Sequence, residues 1–227
     1  MAVINDPTVA ANIARVGNVA FVPQHVTAGP FPIGSGGGYR ISMTSGTISA
    51  GLAAASEIFQ FRYVTAASRV ALIYGISISA AMNVAASAAA LLSLRAMIAR
   101  SWTVAGSGGT RATMTGNNQK LRTSFATSEV NDIGISTTSN LSLGTKSLDA
   151  QDIGGVNYSA LTGAITVATQ GTLVPKTNLL GEFVGGLAFP VVLANQEGFV
   201  IRTGAANPAG MTWHFTVDVA WSEVDTF

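Results

Sequence analysis

The sequence predicts an all-β protein, an antiparallel β-sandwich or barrel with an extended N-terminal arm, on three observations. Apolar and polar residues alternate with a period of two over most of the chain after residue 38, as half-buried strands require. Glycine- and asparagine-rich turn signals interrupt these runs at short intervals, the pattern of sandwiches and barrels. Of the 227 residues 48% are apolar but only 10% are charged, against about 25% in ordinary soluble domains. The chain can therefore fill a core, and its missing charge is replaced by Ser, Thr, Gly, Asn and Ala. A surface this neutral fits best where neighbouring subunits cover much of it.

Residues 1–38 read as the arm and 39–227 as the body. In the arm, Pro7, Pro23, Pro30, Pro32 and the run "GSGGG" (Gly34 to Gly38) prevent long regular elements. A short helix fits "PTVAANIARV", with Asp6 as N-cap and Pro7 in its first position. The glycine run is followed by Tyr39 and Arg40 rather than Lys-Ser/Thr, so it reads as a joint and not as a phosphate loop.

The body opens with "SEIFQFRY", where Phe59, Phe61 and Tyr63 share one face and Ile58, Gln60 and Arg62 the other. Next comes "RVALIYGISISAAMNVAASAAALLSLR", 25 residues without a charge between Arg69 and Arg95. A membrane helix of about 20 residues would carry its bulky apolar groups centrally and aromatic residues at its ends. This run is alanine, serine and asparagine at the centre, and it alternates up to Ser79 and again from Leu92. It reads as two strands flanking a small-residue connection over "AAMNVAASAAA", with room for a short helix. The run is expected to be buried between sheets and against neighbouring subunits, and no membrane span is expected.

Further on, "SWTVAGSGGTRATMTGNNQKLRTSFAT" gives short β-type runs, "NDIGISTTS" alternates, "GTKSLDAQDIGG" reads as loop and "SALTGAITVATQGTL" as a strand. Near the end, "GFVIRT" and "MTWHFTVDVAWSEV" read as a hairpin closed by "GAANPAG". In the last segment Met211, Trp213, Phe215, Val217, Val219 and Trp221 point one way, and Thr212, His214, Thr216, Asp218, Ala220 and Ser222 the other.

Composition excludes several chemistries. There is no cysteine, so disulfides, thiolate metal sites and cysteine nucleophiles are absent. The two histidines, His25 in the arm and His214 on a strand, have no ligand partner at metal spacing, and no G-x-S-x-G elbow occurs. The closest acidic pairs, Glu129 with Asp132 and Asp149 with Asp152, read as solvated or ion-paired carboxylates. A net charge of +1 offers no long-range attraction to a polyanion, so nucleic acid is not an expected partner. Arg95, Arg100, Arg111, Lys120 and Arg122 are grouped but read as subunit-contact residues, since arginine forks suit interface carboxylates. No catalytic residue, metal or cofactor is expected. The N-terminus shows no basic and apolar secretion signal, so cytoplasmic synthesis is expected.

Several stretches together, "INDPTVAANIARV", "SWTVAGSGGT", "GNNQKLRTS", "NDIGISTTSNLSLGTKSLD" and "NQEGFVIRTGAANPAGMTWHFTVDVAWSEV", resemble structural proteins of tailed-bacteriophage virions. The likeness spans about residues 3–16 and 57–224. It implies a non-enzymatic particle component in the virion, a capsid decoration or cement protein of jelly-roll type. Such a protein would form a homotrimer and bind the major capsid protein. The alternative is a tail or head-fibre appendage with a receptor- or glycan-binding role, for which Tyr158, Asn157, Asn117 and Asn118 are the candidate residues.

Overall fold

The computed structural model describes residues 37–66, 68–160, 162, 172–180 and 190–225, together with 15–16 and 19–20. The chain parts into two compact units, Met1–Pro32 and Ile33–Phe227. In the first, β1 (Arg15–Val16) pairs antiparallel with β2 (Val19–Ala20). The expected helix over "PTVAANIARV" thus ends in strand at Arg15–Val16, and the rest of it lies outside the described residues.

The larger unit is an all-β sandwich with no helix among the described residues. Its strands are β3 (Gly38–Thr44), β4 (Glu57–Tyr63), β5 (Arg69–Val84), β6 (Leu91–Val104), β7 (Thr110–Arg111), β8 (Val130–Ile135), β9 (Thr145–Ser159), β10 (Thr172–Asn178), β11 (Val191–Leu193), β12 (Glu197–Thr203) and β13 (Thr212–Asp225). One sheet has the order β10-β5-β13-β3, with β11 also on β5; the other has the order β7-β8-β4-β12-β6-β9. All the pairings are antiparallel. Among the eight principal strands the first pairs with the last (β3 with β13), the second with the seventh (β4 with β12), the third with the sixth (β5 with β10) and the fourth with the fifth (β6 with β9).

The alternation in β13 does what its pattern predicts. Met211, Trp213, Phe215, Val217, Val219 and Trp221 are all buried in the single large core, which both sheets share. Trp221 joins the two layers. Its ring stacks on Tyr39 of β3 at 5.5 Å and meets Phe61 of β4 edge-on at 5.2 Å. Phe61 in turn stacks on Phe199 of β12 at 5.0 Å, and Phe199 on Phe59 at 5.9 Å. Offset and edge-on ring contacts of this kind add to the area they bury.

Four sequence readings are corrected. First, β12 and β13 are not a hairpin: β12 lies between β4 and β6, while β13 lies between β5 and β3 in the opposite sheet. Alternation reports which face is buried but not which strand is the neighbour, so adjacent amphipathic strands look like a hairpin even when their connection crosses between layers. Second, the alanine run contains no helix. Strand β5 continues to Val84, with Ala80 opposite Phe215 and Met82 opposite Trp213, and sheet pairing overrides alanine's helix preference. Only residues 85–90 connect it to β6, and there Ser87, Ala88 and Ala89 are exposed rather than buried within the chain. Third, "GTKSLDAQDIGG" is not a loop but most of β9. That strand is polar and largely exposed because it is an edge, and its register against β6 slips three times, between Ala96/Met97, Met97/Ala99 and Arg100/Val104. Fourth, Ile58 leaves the face of Gln60 and joins the core, because the ladder slips between Ile201 and Arg202 and leaves Ile58 as the unpaired residue. The strand expected over "SALTGAITVATQGTL" lies mainly outside the described residues.

The open side of the sandwich closes by contact of β9 with the chain after β10. A Cβ at Gly154 would overlap the backbone carbonyl of Leu179, whose N–H donates to the Ile76 carbonyl at 2.7 Å. Backbone cannot move aside as a side chain can. Gly154→Ala is therefore expected to destabilise by at least about 1–3 kcal/mol, as overpacking does, measurable as a lower urea midpoint with unchanged slope.

Candidate functional site

Of the charged residues singled out from sequence, Arg95, Arg100, Arg111, Glu129, Asp132, Asp149 and Asp152 take part in ion pairs within the chain. Arg95 meets Asp152 at 3.5 Å, and Arg100 meets Asp149 at 3.1 Å and Glu197 at 2.6 Å. Arg111 meets Asp132 at 3.1 Å, and Arg69 approaches Glu129 at 3.9 Å. Slipped strand β9 and strands β7 and β8 bring carboxylates to Arg95, Arg100 and Arg111 within the chain. Asn117 and Asn118 sit in an exposed turn beside the Tyr39 end, through the Tyr39–Lys120 bridge. Asn157 lies at the other end of the sandwich, opposite Ser93, and accepts from Arg95 at 3.2 Å, while the Tyr158 hydroxyl pairs with Thr177 at 3.2 Å. The four glycan candidates do not converge. His25 lies outside the described residues; His214 bonds Asn83 at 2.9 Å on the outer face of β13. No group of three or more metal-ligating side chains occurs among the described residues, and no helix there is long and apolar enough to cross a membrane.

The two outer faces of the sandwich differ in chemistry. On the six-stranded sheet, odd-numbered residues of β6 face outward and meet a second small core of Met97, Ala99, Trp102 and Val200, with Leu148 packed on it. The segments after β6 and before β9 fold back over this face. Arg62 donates to the carbonyls of Trp102 and Thr103, both at 2.9 Å. Lys146 pairs with Glu57 at 2.8 Å, and Arg111 reaches Gln60 as well as Asp132. Burial pushes the Asp132 carboxyl up, against the pull of Arg111 and Arg62. This face is covered and fastened by charge. The sequence placed Gln60 and Arg62 together on it, but Lys146 fell in the stretch read as loop and was missed.

The five-stranded sheet presents the opposite surface. Register places Thr44, Thr216 and Ser79 in one row across β3, β13 and β5, then Ser42, Asp218 and Ser77, then Arg40, Ala220 and Gly75. Ala81 continues this small-residue face beside His214. Asp218 is the one acidic side chain in these rows, and Lys176 neutralises it at 2.6 Å. Burial pushes that carboxyl up, but bonds from Lys176 and Ser42 outweigh it and hold the group below its usual range. Thr44 and Thr216 satisfy each other at 2.9 Å, and Tyr74 and Ser222 at 2.8 Å. The face offers mostly short side chains, and its charges in these rows are the paired Asp218 and Arg40 on the edge strand.

A third polar assembly fastens the end of the sandwich. Glu223 is fully buried and accepts from the Ser128 hydroxyl at 2.5 Å, the Glu129 N–H at 2.9 Å and the Trp221 indole at 3.2 Å. Burial pushes its carboxyl above the usual range, more than these donors pull it down. Beside it, Tyr39 donates to the Ala126 carbonyl at 2.9 Å. Burial first, and the Glu223 charge second, push the Tyr39 phenol up to about 12, and burial raises Tyr63 as well. A raised acid keeps its proton in the native state where the unfolded chain has lost it. Stability from Tyr39 is thus intact below the ordinary tyrosine value and falls as pH rises from there to about 12. Tyrosinate absorbance is expected to rise in two stages, the second coincident with alkaline unfolding seen by circular dichroism.

No protein-family model, curated protein or solved structure matches this chain.

Proposed function

We propose that this chain is a non-enzymatic structural component of a bacteriophage particle, a capsid decoration protein that assembles as a homotrimer and binds the major capsid lattice. The observation that carries the reading is the contrast between the two outer faces. One is sealed by the chain's own loops and ion pairs. The other is a three-strand field mainly of Ser, Thr, Ala and Gly, whose charges in these rows are Asp218, paired with Lys176, and Arg40 on the edge strand. Burying such a face against protein desolvates few charges, an acid already paired and Arg40 at the edge, so its apolar area is opposed by little. Repetition of the contact over a symmetric shell multiplies a weak interaction.

The strand order supports the jelly-roll form of the sandwich. First-with-last, second-with-seventh, third-with-sixth and fourth-with-fifth pairing is what results when one long antiparallel ribbon is wound into two sheets. The sequence resemblance to virion structural proteins points the same way. Within one chain the appendage reading gains no composite glycan site, since Asn117 and Asn118 do not gather with Asn157 and Tyr158.

Quantitative mass spectrometry of purified particles tests the proposal. The expected result is a copy number comparable with that of the major capsid protein, and a trimer for the isolated chain in native mass spectrometry. A few copies per particle would instead assign it to the tail, and absence from particles would end the virion reading.

A further inference from the structure

Under the outer loops of the six-stranded sheet, three buried side chains meet on one oxygen atom. Glu57 is 1% exposed and Gln60 0%, and the Lys146 side chain is 3% exposed. Oε2 of Glu57 accepts from Gln60 Nε2 at 2.6 Å and from Lys146 Nζ at 2.8 Å. The amine and the carboxamide nitrogen are therefore held against the same proton acceptor. Gln60 Nε2 also donates to the Ser142 carbonyl at 2.8 Å. The other end of the carboxamide faces a cation: Oε1 accepts from both Nη1 and Nη2 of Arg111, each at 3.3 Å. These partners fix the amide orientation, since a carboxylate and a guanidinium cannot exchange places around it.

Lys146 Nζ lies 4.4 Å over the centre of the Trp102 ring and donates to the Leu143 carbonyl. The backbone at Gly106 passes directly over the carboxamide, where a Cβ would overlap both Gln60 Oε1 and the Ser142 carbonyl. Bulk water is kept away from the group.

We propose that this triad is a self-modification site, in which Lys146 and Gln60 join through an intramolecular isopeptide bond with release of ammonia. Each element the chemistry needs is present: a nucleophile, a carboxylate shared between it and the leaving group, and a donor pair on the oxygen where negative charge develops. Glu57 takes a proton from the Lys146 ammonium, and the freed Nζ lone pair forms a bond to Cδ of Gln60. The carbonyl electron pair moves onto Oε1, opposite the Arg111 guanidinium. Glu57 passes its proton to Nε2, the Oε1 pair returns, and the Cδ–Nε2 bond breaks. Nitrogen leaves as ammonia, the Lys146 nitrogen of the new amide gives up a second proton through Glu57, and the ammonia carries that proton away as ammonium. One carbon–nitrogen bond replaces another, so no oxidant, reductant or co-reactant is required. The reaction happens once per chain and ties β4 to the start of β9. A covalent tie closing so long a loop restricts the unfolded chain far more than the folded one.

Intact-mass measurement of the purified full-length wild-type chain decides the matter, with tandem mass spectrometry of its peptides. The expected mass is one ammonia below that of the sequence, with a branched peptide joining Gln60 to Lys146. Lys146→Arg keeps the positive charge but cannot form the bond, and Glu57→Gln keeps the shape but cannot carry the proton. Both are expected at full sequence mass, with a lower melting temperature and slower migration in a denaturing gel, because the denatured wild-type chain retains a closed loop. A wild-type chain at full mass overturns the proposal whatever the variants do. Loss of water instead of ammonia would put the bond on Glu57 and also overturn it, and a cross-link persisting in Glu57→Gln would remove Glu57 from the proton path.

Discussion

Trp221→Ala is expected to remove about 3–5 kcal/mol of folding free energy, from a total of about 5–15 kcal/mol for a domain of this kind. The residue is 1% exposed and is the ring through which the five-stranded sheet meets the aromatic row of the six-stranded sheet. Truncation empties a space that Tyr39, in a strand, and Phe61, in the other layer, cannot both move to fill. It also takes the indole donor from Glu223, leaving a buried carboxyl with fewer partners. Urea unfolding followed by far-ultraviolet circular dichroism measures the loss. Trp221→Phe keeps most of the ring and loses only the donor, so its deficit should be the smaller. A loss below about 1 kcal/mol for the alanine variant, well under the usual cost of emptying a buried aromatic site, would mean that the two layers are not joined there.

The second large effect is on assembly. Ser79→Arg with Thr216→Arg puts two cations side by side in the Thr44–Thr216–Ser79 row of the five-stranded face, where Ser79 and Thr216 are register partners. Both side chains point away from the core, so the folding cost should be limited to the lost Thr44–Thr216 hydrogen bond and the repulsion between register partners, about 1–2 kcal/mol. If a neighbouring subunit or the capsid covers this face, each arginine would be buried without a partner, at a cost of several kcal/mol. Incorporation into particles should then fall at least tenfold, since about 1.4 kcal/mol already gives that factor. Native mass spectrometry separates the two possible partners: loss of the trimer places the self-contact there, and an intact trimer that no longer enters particles places the capsid contact there. Normal incorporation of a normal trimer would show the face to be free.

How far the fold could be read in advance depended on where each residue's environment is set. The strands with one buried face were legible, because Trp213, Phe215, Val217 and their alternating neighbours report burial residue by residue. The partner of each strand was not. Nothing in "GFVIRT" or "MTWHFTV" states that the two belong to different sheets, since that depends on the path of the connection. Edge strand β9 was missed for a related reason: with one side open, its residues need no apolar pattern. The Glu57–Gln60–Lys146 contact was out of reach because two of its members sit three residues apart in a strand and the third enters from a segment that looked structureless. Charge scarcity was legible as a property of the whole chain, but not its division into a fastened face and a plain one.

The pairing of β3 with β13 sets the order of events during synthesis. Ile41 finds its place opposite Val219, and β13 also supplies the central neighbour of β5 along fourteen register pairs. Neither β3 nor β5 can close its sheet until β13 has left the ribosome. Contacts this distant in sequence make for slow folding, of the order of milliseconds to seconds. Until then the apolar face of β5 must wait uncovered. The chain is therefore one whose yield should respond to chaperones and growth temperature more than its final stability would suggest, and no stable half-sandwich should accumulate when translation stops short of β13.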